Sequence, residues 1–477
     1  MRRRSFVSIA MIGAISLICW QATQGAKPKD EMLELYGLFV DAVEKVEANY
    51  VRPVSRRELL ESALEGMLQN LDPHSSYINT TEWRSFRRQL EGKFGGIGIQ
   101  VGVDPDTGRL RVIAPMVGTP AYEAGILAGD QVTEIDGQSA EGMTPDKAVE
   151  VLTGRPGTNV KLTVLHEGSD DPETIEITRA IIDLPTVLGD RRKPNDQWDF
   201  MLDKDKKIAH IRITGFNQNT ADELKKALAQ ISDEGAKGLI LDLRDDPGGL
   251  LSAAVDVSDI FLNSGEIVST KGRNTAPKKY DAHRDSPYEE LPMVVLVNQN
   301  SASASEIVSA ALQDHGRANI VGQRSYGKGS VQSILDLEDG YSVLKLTVAS
   351  YYRPSGENIH RFRNAKPSDK WGVTPDKGME VKLTPTDYIH WAIGRRDRDQ
   401  EASAKGHRRP SGTQAESEKG KPALKTAKPN EKSKTGAEKS RAKGADFHRF
   451  AGPFVDKQLD KALEVLQSKL ATKAKAA

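Results

Sequence analysis

Hydrophobic positions change their spacing several times along the chain, and each change predicts a different element. Residues 6–20 (FVSIAMIGAISLICW) are one apolar run behind the basic start MRRRS and ahead of QATQGA. Over residues 31–71 apolar side chains recur every three or four positions. Met32, Leu35, Phe39, Val43 and Val46 form one such series, and Leu59, Leu60, Ala63, Leu64 and Leu68 a second after Arg52-Pro53. That period predicts two amphipathic helices, whose stripe belongs to a core or a dimer face. From about residue 93 to 180 the pattern becomes short strands between Gly and Asp turns, with two short helices among them. Residues 181–393 alternate strand and helix: Lys207–Ile213, Gly238–Leu243 and Met293–Val297 read as strands, while Asn219–Ile231, Leu251–Leu262 and Ser303–Gln313 read as helices. Such alternation predicts an α/β core with functional residues at strand ends. Phe447–Leu470 regains helical period, with Phe454, Leu459, Leu463, Val465 and Leu466 able to line one face.

The ends modify this picture. A basic start, a short apolar stretch and a small-residue exit are the signature of a secretory signal peptide over residues 1–26, which places the protein in the periplasm or cell envelope. The run is shorter than the ~20 residues that span a bilayer, so removal is expected; an uncleaved signal would instead anchor the chain in the membrane. Residues 395–445 hold 15 Lys/Arg against 7 Asp/Glu, with Leu424 as the single large apolar side chain and no aromatic. A stretch of this composition cannot bury enough apolar surface to offset chain entropy, and is expected to be a disordered basic linker.

The 477 residues allow about three domains of ordinary size. Apolar residues are 38% of the chain, and the 41 glycines bring the share into the range of about 45–50% found in soluble globular proteins. Lys+Arg and Asp+Glu both number 67, so there is no basic excess of the kind nucleic-acid binding uses. The single cysteine, Cys19, excludes internal disulfides, cysteine-cluster zinc sites and iron–sulfur clusters.

Candidate chemistry sits in two glycine-bearing stretches. Gly95-Gly96-Ile97-Gly98-Ile99-Gln100-Val101 runs into a strand, and Val101 stands where a dinucleotide fingerprint needs its third glycine. The stretch instead suits a loop whose backbone N–H groups receive an anion such as a peptide's terminal carboxylate. The segment GTPAYEAGILAGDQVTEIDGQSA (Gly118–Ala140) with TPDKAVEVLTG (Thr144–Gly154) resembles a PDZ domain, a module that adds a peptide as an extra strand. The second stretch is Asn300–Gln332. Its Gly322–Lys328 matches the opening of a phosphate-binding loop, but Gly329 replaces the required Ser or Thr and a strand follows in place of a helix. A Ser–His–Asp site has little support, since no GxSxG or GDSGG occurs. What stands is a serine–lysine pair: Lys328 between two glycines, and the serines at 301, 303 and 305 at a helix start, where free N–H groups and the helix dipole can hold an oxyanion. Spacing does not choose among the three serines.

SASASEIVSAALQDHGRANIVG followed by YGKGSVQ resembles the active-site block of the C-terminal processing peptidases, or tail-specific proteases. The resemblance implies Ser303 as nucleophile, Lys328 as base and Gln332 as the residue that orients the lysine. LDLRDDPGG (Leu241–Gly249) resembles the family's oxyanion turn, which implies Gly248 or Gly249 with Ala304 as oxyanion donors; Asp246 replaces the usual Asn. LDPHSSYI, GGIGIQV, LPMVVLVNQNSASASE, WGVTPDKGMEV and the terminal VDKQLDKALEVL resemble further family landmarks in family order.

The expected architecture is therefore a multi-domain α/β chain. It comprises a signal peptide (1–26), an N-terminal helical region (27–92), a β-rich PDZ domain with two helices (93–180), a serine protease core (181–394), the basic linker (395–445) and a C-terminal helix (446–477). The expected activity is cleavage of exported proteins near their C-termini, with the backbone of Gly95, Gly96, Ile97, Gly98 and Ile99 holding the substrate's terminal carboxylate. The expected partners are protein or peptide substrates with free C-termini; an adaptor and a homo-oligomer stay open, and no metal, cofactor or nucleic acid is expected. The rival from another class is a catalytically silent PDZ scaffold that binds tails without cutting them.

Overall fold

A computed structural model describes residues 28–406 and 455–476, apart from 105–106, 194, 196 and 284–285. The apolar run of residues 6–20, Phe454 and the basic segment beyond residue 406 lie outside the described residues. The chain divides into two compact units, Met1–Trp83 with Gln332–Thr347, and Arg84–Val331 with Val348–Ala477.

In the first unit the two expected helices are α1 (Pro28–Asn49) and α2 (Arg56–Gln69). Ser55 caps α2 by accepting a hydrogen bond from Glu58 N at 3.1 Å. The apolar stripe of α1 is not core: Met32, Leu35 and Phe39 are exposed, whereas Leu68 of α2 is buried. Asp72 Oδ1 accepts the N–H groups of His74 (2.7 Å) and Ser75 (2.9 Å), which fixes LDPHSS as a turn and gives His74 a structural place. The region expected to be helical also holds a strand, β1 (Ser76–Ile78), because Tyr77 and Ile78 bury by pairing with Leu344 and Val343.

Helix α3 (Thr80–Glu91) runs from the first unit into the second, where β2 (Lys93–Gly96) follows it. The strands β3 (Ile99–Val103), β4 (Leu110–Pro115), β5 (Gln131–Ile135), β6 (Asn159–Leu165) and β7 (Glu173–Thr178) pair in that order, so β3 forms one edge of the sheet. Leu110, Val112, Ile135, Leu162 and Val164 are buried with Ala148 and Leu152 of helix α4 (Pro145–Leu152). β2 pairs with β8 (Ala180–Asp183) outside this sheet.

The remainder builds an α/β layer. β9 (Val187–Leu188), β10 (Ile208–Ile213), β11 (Gly238–Asp242), β13 (Met293–Val297) and β14 (Asn319–Gly322) lie side by side, and the last four are parallel; β12 (Glu266–Gly272) belongs to a second sheet. Alternate residues face opposite sides. Leu239, Leu241, Val295 and Val297 pack with Leu224 and Leu228 of α5 (Thr220–Asp233), Ala254 and Val257 of α6 (Leu251–Asp259), and Ile307 and Val308 of α7 (Ala304–Asp314). Ile240, Val294, Leu296 and Val321 face the other way, onto Leu459, Ala462 and Leu466 of α9 (Lys457–Ala476). The C-terminal helix is thus the second cover of the central sheet, and it uses the face its period predicts. β15 (Ser330–Leu337) and β16 (Ser342–Tyr352) pair with each other, and β12 pairs with the Ala349–Tyr352 end of β16.

One boundary differs from expectation. Helix α8 (Pro385–Gly406) continues through residues 395–406, where the linker was expected to begin. Charge composition misleads there because the charges are paired with the core: Arg212 meets Asp399 at 2.7 Å, Arg395 meets Asp399 at 2.8 Å, and Arg398 meets Asp190 at 2.6 Å. Among the described residues no helix is long and apolar enough to cross a membrane.

Candidate active site

Two loops at the carboxyl ends of neighbouring parallel strands meet: Leu243–Gly249 after β11 and Asn298–Ser303 after β13. This is the position at which open α/β sheets place their chemistry. Asp245 N donates to Asn298 Oδ1 at 3.0 Å and Ala302 N to the Asp246 carbonyl at 3.0 Å. Gly248 lies so close to the second loop that a Cβ would stand 2.6 Å from Ala302 O and 2.8 Å from both Ala304 N and Ser303 Cβ. Its φ of 92° also suits glycine.

These contacts separate the three serines. Ser301 Oγ donates to the Leu243 carbonyl at 2.7 Å, and Ser305 Oγ to the Asp246 carbonyl at 3.0 Å. Both hydroxyls therefore lace the loops together. Ser303 instead caps α7 with φ 56° and ψ −110°, a conformation outside the ordinary regions for a residue with a side chain. Tyr351 on β16 neighbours its side chain, and burial pushes that phenol up to about 12.

Glu306, which sequence reasoning did not single out, joins this serine to the lysine loop. Its carboxylate is fully buried and surrounded by donors. Oε2 accepts Ser303 N at 2.8 Å and Lys328 N at 2.8 Å; Oε1 accepts Ser325 Oγ at 2.5 Å and Gly327 N at 2.6 Å. Burial pushes the carboxyl above the usual range while these donors pull it down. Since every partner donates, the site suits an ionised carboxylate. Lys328 is thereby held at the backbone by the same group that holds the Ser303 backbone. The flanking glycines permit close packing of this loop, since a Cβ at Gly329 would stand 2.2 Å from His360 N.

Of the candidate oxyanion donors, Ala304 is the first residue of α7, where an N–H has no intrahelical acceptor. Gly248 N donates to Asp246 Oδ1 at 2.8 Å, which leaves Gly249 as the turn glycine whose N–H has no partner among the described residues. Gln332 lies in the other unit, where its Nε2 donates to Thr347 Oγ1 at 3.1 Å. Asp314 and His315 do not form a triad: Asp314 pairs with Arg353 at 2.5 Å and His315 Nε2 lies 2.8 Å from the Glu266 carbonyl.

Below the turn, Arg244 is buried between two carboxylates. It meets Asp242 at 2.6 Å and Asp456 at 2.8 Å, and its guanidinium lies 4.6 Å from the Trp391 ring centre. Trp391 Nε1 also donates to Asp456 at 2.9 Å. This cluster ties the end of β11 to the start of α9.

In the β-rich domain Gly95 and Gly96 belong to β2, paired with Ile181 and Ala180, so the loop proper is shorter than expected. Gly98 turns the chain at φ 80°, and a Cβ there would stand 2.4 Å from the Thr119 side chain. The carbonyls of Ile97 and Gly98 accept Ala121 N (2.9 Å) and Met116 N (2.8 Å), and Ile99 opens the edge strand β3, against which α4 packs.

A β-rich domain of this strand order, with a strand-end serine and a glycine-flanked lysine, fits a PDZ-bearing peptidase. Family models match accordingly: peptidase family S41 over residues 207–378, a PDZ domain over 86–165, and an activating protease CtpB N-terminal domain over 20–81. The carboxy-terminal-processing protease of Bartonella bacilliformis is 40% identical over 350 residues, covering 72% of this chain and 75% of the relative. Carboxy-terminal processing protease CtpA of Bacillus subtilis is 35% identical, covering 69% and 67%. Among solved structures, a photosystem II D1 C-terminal processing protease is 28% identical over 74% of this chain and 94% of its own, with a TM-score of 0.39. The chain belongs to peptidase family S41 and is a carboxy-terminal processing protease of that family.

Proposed function

We propose that the chain cleaves exported proteins near their C-termini by a serine–lysine mechanism. Ser303 Oγ attacks the scissile carbonyl, and the neutral Lys328 amine takes its proton and later delivers one to the leaving amine. Ala304 N–H with the Gly248–Gly249 turn stabilises the oxyanion, each well-placed donor contributing about 3–4 kcal/mol to the barrier reduction. The observation that carries this reading is the Glu306 carboxylate, which gathers the backbones of Ser303 and Lys328 at 2.8 Å each while Ser301 and Ser305 are committed to carbonyls. Gln332 as the residue that orients Lys328 rests on the family resemblance alone. The basic start and apolar run of residues 1–20 support export to the periplasm or envelope, which fractionation and N-terminal sequencing of the mature protein would check.

Capture of the substrate tail is assigned to the PDZ domain. The exposed edge of β3 can add a peptide strand, and the backbone of Ile97–Ile99 can receive its carboxylate. Loss of that charge-assisted contact is expected to be worth about 1.5–3 kcal/mol. A model substrate bearing a C-terminal amide should therefore be cleaved at least about tenfold less efficiently than its free acid. Equal rates for acid and amide would remove tail reading from the account. Tight binding without any cleavage would favour a scaffold instead.

A further inference from the structure

Asp246 is the polar group of the site that neither its neighbours nor the proposed mechanism account for. It is fully buried in the turn between β11 and α6. Oδ1 accepts Gly248 N at 2.8 Å, but Oδ2 is buried with no hydrogen-bond partner among the described residues. Ser305 Oγ donates to the Asp246 carbonyl at 3.0 Å, so that bond leaves Oδ2 bare. A carboxylate with one oxygen bare in a dry site is unfavourable, whereas a neutral acid leaves no buried charge uncompensated.

Among the described residues no ion pair is made by Asp246. Arg244, two residues back, is held between Asp242 and Asp456. Asp245 accepts from Asn298 Nδ2 (2.9 Å), Asn300 Nδ2 (2.7 Å) and the Tyr388 hydroxyl (3.1 Å). On α7 the charged neighbour is Glu306, an anion among its own donors, and Lys328 approaches that helix through its backbone N–H on Glu306. Burial accordingly pushes the Asp246 carboxyl well above the usual carboxylate range, with Gly248 and Ser305 the only opposing influences.

We propose that Asp246 is a positioning residue that works as a neutral carboxylic acid, holding Gly248 against the nucleophile loop, and that its loss of a proton at alkaline pH shuts turnover down. As a neutral acid it orients the Gly248 peptide without placing charge beside the developing oxyanion. Ionised, it puts a negative charge against the same turn with Oδ2 bare, so the oxyanion is opposed and the turn is destabilised. This assignment rests on the reading of Ser303 as nucleophile. It also gives the enzyme two opposed limbs: activity rises as Lys328 deprotonates and falls as Asp246 does.

The test compares the full-length wild type with Asp246→Asn, which keeps the shape and cannot ionise. Wild-type kcat/KM should fall tenfold per pH unit on the alkaline side, and the Asn variant should show no such limb. A second readout does not need activity. The folded acid keeps its proton while the unfolded one loses it above about pH 4, so the wild-type folding equilibrium constant should drop tenfold per pH unit above that point until the folded group ionises. In urea titrations across pH the Asp246→Asn protein should lack this component, and its stability relative to wild type should grow with pH. Asp246→Ala, equally unable to ionise, serves if the Asn variant does not fold. Identical pH dependence of unfolding in wild type and variant would show an ionised Asp246 and overturn the proposal. A shared alkaline limb in both proteins would overturn its catalytic part. Failure of the serine–lysine reading would show differently, as altered unfolding in proteins whose cleavage does not depend on Ser303.

Discussion

Ser303→Ala and Lys328→Arg are each expected to lower peptide turnover by about four to six orders of magnitude while leaving the melting temperature within a few degrees of wild type. The arginine variant is the sharper of the two. It keeps the positive charge and most of the stem, but a guanidinium does not deprotonate in a protein, so it cannot accept the proton of Ser303. The scaffold should survive, because the backbone N–H of Lys328 on Glu306 at 2.8 Å is kept by the variant. Ser301→Ala and Ser305→Ala serve as comparisons: each removes a bond to a loop carbonyl at 2.7 or 3.0 Å, and should cost stability through a lost hydrogen bond before it costs chemistry. Initial rates on a fluorogenic peptide, with thermal melts of the same preparations, read both effects. Near-normal turnover by Lys328→Arg would exclude a lysine base.

Arg244→Ala is expected to destabilise the second unit by about 3–5 kcal/mol, because it leaves the buried carboxylates of Asp242 and Asp456 without their cation. Arg244→Lys should rescue little, since one ammonium cannot bridge two carboxylates in the fork geometry that now holds both at 2.6–2.8 Å. The pH dependence has a definite direction. Arg244 offsets the burial of Asp242 and Asp456 and holds both carboxyls below the usual range. Their contribution is therefore present above the unfolded-state value of about 4 and is lost as pH falls through the lower folded values. Wild type should weaken in acid, and Arg244→Ala should weaken less steeply because its carboxyls are no longer depressed. Urea titration gives the free energies, and hydrogen exchange should show early loss of protection in α9, which the cluster pins to β11. A loss below about 1 kcal/mol would mean that the ion cluster adds little beyond its desolvation cost.

Period and punctuation made much of this fold legible before any coordinates. Ser330–Leu337 is a strand as expected after the glycine-flanked lysine, and Met293–Val297 is the buried strand its apolar run implies. Leu459 and Leu466 do face the core. What sequence could not supply is the identity of partners distant along the chain. The three serines are alike in spacing, and they separate only because Ser301 reaches Leu243 and Ser305 reaches Asp246, 58 and 59 positions away. Arg244 and Asp456 are likewise 212 positions apart. Glu306 was within reach of local reasoning: Ser303-Ala304-Ser305-Glu306 has the S-x-x-E form of a capping box, whose glutamate returns to the cap backbone. That it also holds the lysine loop is tertiary information. Period names an apolar face without naming its cover, as on α1, whose Met32, Leu35 and Phe39 are exposed. Composition misleads at residues 395–399, where Arg398 and Asp399 are paired across the fold with Asp190 and Arg212.

The central claim is that a neutral amine at position 328 takes the proton from Ser303, and chemical replacement of that amine tests it most directly. In Lys328→Cys the base is gone, and treatment with bromoethylamine installs an amine on a thioether of nearly the same length. The sulfur lowers the amine's proton affinity, so the account predicts restored cleavage with the rising limb of its pH profile moved to lower pH. Iodoacetamide, which adds a neutral amide to the same thiol, should restore nothing. Equal recovery with both reagents, or recovery with an unshifted limb, would contradict a lysine general base.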